Sequence, residues 1–313
     1  MDASVNKILA PPAEGLLPIR TVSILTGVNS VTLRAWERRY SLVTPQRTPK
    51  GHRLYTNQDV ERINRIVELL NQGISVGHVK PLLDQMPGDV AATSATDEID
   101  IWKNQQDKML DAIERFDELA LDNIYNDALS LYPLDVVNQR LTTPLLRLFG
   151  ERWKQRDTGI AEEHFFTVYL RNKLGARILH MNQRGSGPLL LLACLPGELH
   201  ESGLLFFALA AVSAGYRVLI LGANTPLKQI PAVLEIKACA GVVLSGSSKP
   251  ARGVLDTELP ELMSQIKTPV FIGGGTAVSY QEKFAQSGAI CLGENIASGL
   301  QLINKTLKTR KPR

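Results

Sequence analysis

The sequence predicts a multidomain chain: an α-helical head with a small wing, a four-helix bundle, and an α/β domain on a five-stranded parallel sheet. Three observations carry this. Between Gly15 and Tyr55, seven bases (Arg20, Arg34, Arg38, Arg39, Arg47, Lys50 and Arg53) face one acid, Glu37, in a chain whose net charge is only +4. From 97 to 183, apolar residues recur at helical spacing with no strand-like run. Beyond 187, short apolar runs alternate with helix candidates, as in a parallel sheet covered on both faces. The 313 residues suit two or three domains at ~150 residues each, expected at 15–87, 97–184 and 187–308.

The head is read first. Residues 20–26 form a short helix closed by Gly27, and Asn29 or Ser30 caps a second over 31–40, a side-chain oxygen accepting an orphan first-turn N–H. Two short helices joined by a Gly-containing turn make a helix-turn-helix. The stretch 44–55, TPQRTPKGHRLY, holds too much Pro and Gly for a helix and reads as a wing turning near Lys50-Gly51. Thr56 with Asp59 three residues on starts a third helix by a capping box with a short acid. Val60, Ile63, Ile66, Val67 and Leu70 line one face, and Gly73 ends it. A further short helix runs from Ser75 to near Leu83. The small, polar stretch 88–96 is a linker.

Four apolar stripes then define the bundle: Trp102, Met109, Ile113 and Phe116; Leu119, Leu121, Ile124 and Leu129; Leu145, Leu148, Phe149 and Trp153; Phe165, Val168, Tyr169, Leu170 and Leu174. In the last third the strand runs are 189–195, 218–221, 241–244, 270–272 and 289–292. Helices are expected at 201–214, 226–237, 253–265, 278–286 and 295–307. Ligands of such sheets sit outside the carboxyl ends of the strands. The basic tail KTLKTRKPR reads as a solvated end, with an auxiliary phosphate contact as the alternative.

Composition removes several classes. A hydrophobic fraction of 44% against 21% charged excludes wholesale disorder. No apolar run is long enough for a transmembrane helix, so no membrane role is expected. The first residues, MDASVNKILAPPAEG, lack a secretory pattern. Three scattered cysteines (Cys194, Cys239, Cys291) make neither a disulfide framework nor a clustered zinc site, and fit a reducing cytoplasm.

The run VTLRAWERRY at 31–40, with Pro45, Arg47 and GHRLY at 51–55, resembles the MerR family of winged helix-turn-helix regulators over 17 to 85. The resemblance implies a dimer on a double-stranded DNA operator with two half-sites. Thr32 and Arg34 lie early on the second helix, where side chains reach base edges, and an arginine there can bind guanine bidentately. Tyr40, Arg47 and Arg53 suit phosphates; Arg38 and Tyr55 complete the DNA-facing set. Trp36, Leu54 and Tyr55 also read as the small core.

The segment Glu198-Leu199-His200-Glu201-Ser202-Gly203 follows the first strand of the sheet. Forty-one residues separate Gly203 from Ser245, after the third strand, and 25 separate Ser247 from the Gly273-Gly274-Gly275 run after the fourth. This constellation resembles the cobalamin-binding Rossmann-like domain, with its acid-x-His-x-x-Gly, Ser-x-Leu and Gly pair. By that resemblance His200 is the lower axial cobalt ligand, the only metal ligand expected. Glu198 holds its other nitrogen, Ser245 offers a hydroxyl to the nucleotide tail, and Gly203, Gly273 and Gly274 let backbone approach that tail. The acid is Glu where Asp is commoner, and Ser247 stands where the family has Leu.

Trp153, followed after nine residues by Glu163-His164, resembles the cap of the adenosylcobalamin-dependent light-sensing regulators of the CarH and LitR type. There the motif lies over the upper corrin face. Trp153 is expected beside the adenosyl group and Glu163 hydrogen-bonded to it, with His164 adjacent. The family often has His after the Trp; here it is Lys154.

Together these resemblances imply a transcription regulator, a repressor, with no catalytic residues. Its effector is adenosylcobalamin, and light-driven loss of the adenosyl group loosens a homo-oligomer, dimer or tetramer. Two alternatives stand: a regulator whose cobalamin domain is vestigial or light-independent, and a corrinoid-dependent enzyme component, against which the DNA-binding head argues.

Overall fold

Pro18 and Gly27 bracket the first helix of the head. The structure, a computed structural model, describes residues 15–83, 95–152, 156–183 and 185–309; the predicted linker lies outside them up to residue 94. After β1 (Leu17–Pro18), α1 (Ile19–Thr26) closes on Gly27 at φ 70°. Then α2 (Ser30–Ala35) starts under Asn29, whose side chain accepts from the Val31 N–H at 3.0 Å. One helix is expected over 31–40. The chain instead widens at Trp36 into a π-helical turn, Trp36–Tyr40, that ends on Ser41 at φ 50°. Strands β2 (Gln46–Arg47) and β3 (Arg53–Tyr55) make the wing, in the antiparallel order β1-β3-β2. Its turn lies where Lys50-Gly51 places it, with the Gly51 N–H on the Thr48 carbonyl at 2.8 Å. The Thr56–Asp59 capping box opens α3 (Asn57–Asn71), and α4 (Val76–Leu83) follows. Val22, Leu33, Trp36, Leu42, Tyr55, Ile63 and Ile66 are buried as the core of this small unit.

In the bundle, α5 (Ala95–Glu114) and α6 (Glu118–Leu131) are consecutive and pack on each other. Phe116 is read as part of the α5 stripe but terminates that helix instead. It sits at φ 54°, and the Phe116 and Asp117 N–H groups reach back to the Ile113 and Ala112 carbonyls, a Schellman-type end with a bulky residue in the left-handed position. Next come α7 (Leu134–Val137), a π-helical turn (Asn138–Thr142) and α8 (Thr143–Arg152). These run on as one interrupted helix, so with α9 (Gly159–Asn182) the bundle counts four. Met109, Ile113, Leu121, Leu141, Leu145, Phe149 and Phe166 fill it, and Trp102 and Tyr132 meet with ring centroids 4.6 Å apart. The chain divides into two compact units after Phe166, inside α9.

The second unit is the α/β domain. Its strands β4 (Leu189–Cys194), β5 (Arg217–Gly222), β6 (Gly241–Ser245), β7 (Val270–Gly273) and β8 (Ile290–Gly293) are all parallel, in the order β5-β4-β6-β7-β8. All six residues of β4 are buried, as a strand covered on both faces requires. Between the strands lie α10 (Ser202–Ser213), α11 (Ile230–Ile236), α12 (Leu259–Gln265), α13 (Gly275–Ser279) and α14 (Gln281–Gln286), with α15 (Ile296–Thr309) last. The helix expected over 278–286 is two, because Tyr280 leaves helical geometry at ψ 29°. Strand order reverses between β4 and β6, the switch point outside which such folds bind ligands. At the sheet edge, the Asn182 side chain donates to the Val218 carbonyl and accepts from the Val218 N–H, both at 2.9 Å.

Candidate cofactor site and nucleic-acid interface

At the switch point the loops after β4 and β6 meet on one carboxylate. Beyond Cys194 the chain turns on Gly197, at φ 84°, whose N–H donates to the Asn224 side chain at 2.8 Å. Glu198 thereby folds inward and is only 3% exposed. Its Oε1 accepts the His200 backbone N–H at 2.8 Å and faces His200 Nδ1 at 2.9 Å. Its Oε2 accepts the N–H and hydroxyl of Ser247, at 2.6 and 2.7 Å, and those of Ser248, at 3.2 and 3.3 Å. Burial pushes the Glu198 carboxyl up. Hydrogen bonds from His200 and Ser247 outweigh that and hold it well below the usual carboxylate range. The imidazole itself stands out from the rim, its side chain 62% exposed.

This donor set suits a metal that arrives in a macrocycle. Among the described residues no group of three or more His, Cys, Asp or Glu side chains is placed to hold a bare ion. One imidazole with Nδ1 on a carboxylate leaves Nε2 as the atom that would coordinate cobalt. Space beside it also fits. A Cβ on Gly203 would come no nearer than 3.8 Å to anything, there Ser245 Oγ, and one on Gly273 no nearer than 3.9 Å. Gly274 is different: at φ 90°, its Cβ would lie 2.3 Å from the Gly246 carbonyl oxygen, so the crossing of two loops of this chain demands that glycine.

Beside His200, Glu201 pairs with Arg171 at 2.8 Å at the mouth of a cleft of about 380 Å³ also lined by Gly175, Leu205 and Gly222. Beneath the loop, burial and the charges of Glu198 and Glu201 push the Cys194 thiol up to about 12, so it stays protonated. Sequence reasoning took Ser247 as a departure and passed over Ser248; the structure joins both to Glu198. The signal was the pair of hydroxyls immediately after Gly246.

In the bundle, Trp153 lies outside the described residues. Glu163 is partly exposed and His164 exposed, in the first turns of α9. Their neighbour Glu162, missed from the sequence, is buried. It accepts the Thr158 hydroxyl at 2.6 Å and pairs with Arg156 at 3.2 Å, and Arg156 also reaches Glu114 at 3.0 Å.

On the head, Arg34 and Arg38 are exposed and Tyr40 is half-buried. Arg47 and Arg53 of the wing converge on Glu37 of the π-helical turn; Arg47 bridges it at 2.7 Å, and Arg53 is only 17% exposed. Burial works to raise the Glu37 carboxyl, but the two arginines outweigh it and leave it lower than usual. Thr32 and Tyr55 are buried, not at the surface. The Tyr55 hydroxyl has no hydrogen-bond partner, and burial pushes it up to about 12.

Two family models match stretches of this chain. The MerR HTH family regulatory protein model matches residues 17–86, and a B12 binding domain model matches 105–178. The HTH-type transcriptional repressor CarH of Myxococcus xanthus is 31% identical over 280 residues, covering 86% of this chain and 92% of CarH. The repressor CarA of the same organism is 31% identical over 212 residues, 67% of this chain and 69% of CarA. The HTH-type transcriptional regulator MlrA of Escherichia coli is 35% identical over 132 residues, 42% of this chain and 51% of MlrA.

Proposed function

This chain belongs to the MerR-family HTH transcription regulators that carry a B12-binding domain, and on that premise we propose that it is a repressor whose effector is adenosylcobalamin and whose signal is light. The observation that carries the reading is the His200–Glu198 pair at the switch point. A carboxylate held below its usual range by its hydrogen bonds would favour Nδ1 as the donor, orient the ring and make Nε2 the better ligand. Ser245, Gly203 and Gly273 would hold the nucleotide tail, and Glu163, His164 and Trp153 would serve the upper face. When bound, the cofactor supplies a light-cleavable cobalt–carbon bond; the protein supplies its orientation and the coupling to DNA.

DNA binding falls to Arg34 and Arg38 on the exposed side of the second helix and its continuation, with Tyr40, Arg47 and Arg53 for phosphates. Several heads joined in a dimer or tetramer gain affinity for linked half-sites by ~10²–10⁴ without any new contact, and forfeit it on dissociation. The setting is cytoplasmic. Among the described residues no helix is long and apolar enough to cross a membrane, and the effector binds from solution.

The test is a spectrum and a sizing run of adenosylcobalamin-loaded protein in the dark and after green light. The expected result is a protein-bound cofactor whose spectrum changes on substituting His200→Ala, with a dark oligomer that dissociates in light. An unaltered His200→Ala spectrum overturns axial ligation; an oligomer indifferent to light overturns the switch.

A further inference from the structure

Glu162 stands where the inward face of α9 calls for an aliphatic residue. It lies one turn before Phe166, on the same side of the helix, and Phe166 is buried with its ring centroid 5.8 Å from that of Phe149. A carboxylate at such a place gives up its water, so its partners decide its cost. The Thr158 hydroxyl donates to Glu162 Oε1 at 2.6 Å, and Arg156 Nη2 lies 3.2 Å from the same oxygen. The other prong of that guanidinium, Nη1, reaches Glu114 Oε1 at 3.0 Å. Glu114 ends α5, so one arginine clasps the start of α9 to the end of α5. Two residues beyond, Phe116 meets Phe165 edge to face, with centroids 5.5 Å apart, from a left-handed backbone at φ 54°. A bulky residue keeps that conformation only where its surroundings impose it.

Such a clasp sets direction as well as position. Apolar burial is non-directional and lets a helix roll slightly, whereas hydrogen bonds to a carboxylate weaken steeply as their angle opens. At about 100° per residue, holding Glu162 inward points Glu163 to the flank and His164 nearly to the opposite side. Glu163 is accordingly partly exposed and His164 exposed. We propose that Arg156 and Glu162 are positioning residues: by fixing the roll of α9 they aim Glu163 and His164 at the upper ligand of a bound cobalamin. This role rests on the adenosylcobalamin reading above and extends it to two side chains outside the motif that suggested it.

The test titrates the full chain in the dark with adenosylcobalamin and with methylcobalamin, which are alike below the corrin and differ in the upper ligand. Arg156→Met keeps the stem and removes the fork. Glu162→Met removes the buried charge itself, and is expected to unfold at a denaturant concentration no lower than wild type. In both variants the preference for adenosylcobalamin over methylcobalamin is expected to fall about tenfold, the worth of a hydrogen bond to a charged group. Methylcobalamin affinity is expected to stay as in wild type. A wild-type preference kept by a folded variant, or an equal loss of affinity for both cobalamins, overturns the positioning role alone. Glu162→Met decides if Arg156→Met, left with an unpaired buried carboxylate, does not fold. A wild-type chain that takes both cobalamins equally overturns the adenosylcobalamin reading itself, and the positioning role with it.

Discussion

Ser247 gives both its backbone N–H and its hydroxyl to one oxygen, Oε2 of Glu198, at 2.6 and 2.7 Å. Glu198 thus reaches across the switch point to an N–H and a hydroxyl of the loop after β6.

Replacing Ser247 with Ala is expected to weaken cobalamin binding about tenfold, since partners that orient a metal-ligating histidine typically contribute 10–100-fold. Absorbance titration measures it, and Ser247→Thr should restore most of the loss. Equal affinity in Ser247→Ala would mean that Ser248 alone holds the carboxylate.

The same carboxylate gives the α/β domain a pH signature. Glu198 is held lower in the fold than in the unfolded chain. Its contribution is present in full above the unfolded value of about 4.5 and is lost as pH falls towards the folded value. The stability difference between wild type and Glu198→Gln should therefore be flat from about pH 6 to 8 and shrink below about pH 4.5. Urea unfolding at stepped pH measures it; a difference that grows with acidity contradicts the assignment.

Two glycines of the motif separate by what they face. Gly203→Ala lies inside a helix with room for a methyl and should leave stability unchanged or raise it by up to ~1 kcal/mol, while cobalamin affinity falls. Gly274→Ala drives a methyl onto the Gly246 carbonyl from a left-handed backbone and should cost about 3 kcal/mol or more. Denaturant midpoints beside cofactor titrations distinguish the two; a stable Gly274→Ala would show that the loops part without cost.

Glu37 competes with phosphate for two arginines. Glu37→Ala should tighten binding to duplex DNA and steepen the logarithmic salt dependence by about 0.9 for each arginine newly placed on a phosphate. Anisotropy titrations from low to moderate salt test it. A slope no steeper than wild type would leave Arg47 and Arg53 as ties of the wing alone.

Legibility in the sequence followed how local the cause is. The Thr56–Asp59 capping box, the Gly51 turn and the five apolar strand runs depend on neighbours within a few residues, and the structure has them where the pattern puts them. His200 and Glu198 could be paired because a single residue, Leu199, separates them. What escaped depends on distant partners. Thr32 was a surface residue of a helix-turn-helix until Leu129, 97 positions on, covered it. Ser248 meets Glu198 across 50 positions, and Glu162 is buried by Arg156 and Thr158 at a point where periodicity shows only another acid. Gly274 was read as open to a ligand because spacing cannot reveal a second backbone 2.3 Å from an imagined methyl.

The side chain of Asn182 on Val218 has a consequence for self-association. An outer strand normally offers its bare amides to any passing strand, including that of another copy. Here a single carboxamide occupies both bonding groups of Val218, imitating the neighbour that never comes. Edge-to-edge pairing of a second copy is disfavoured at that residue, because both groups that a new strand would need are already taken.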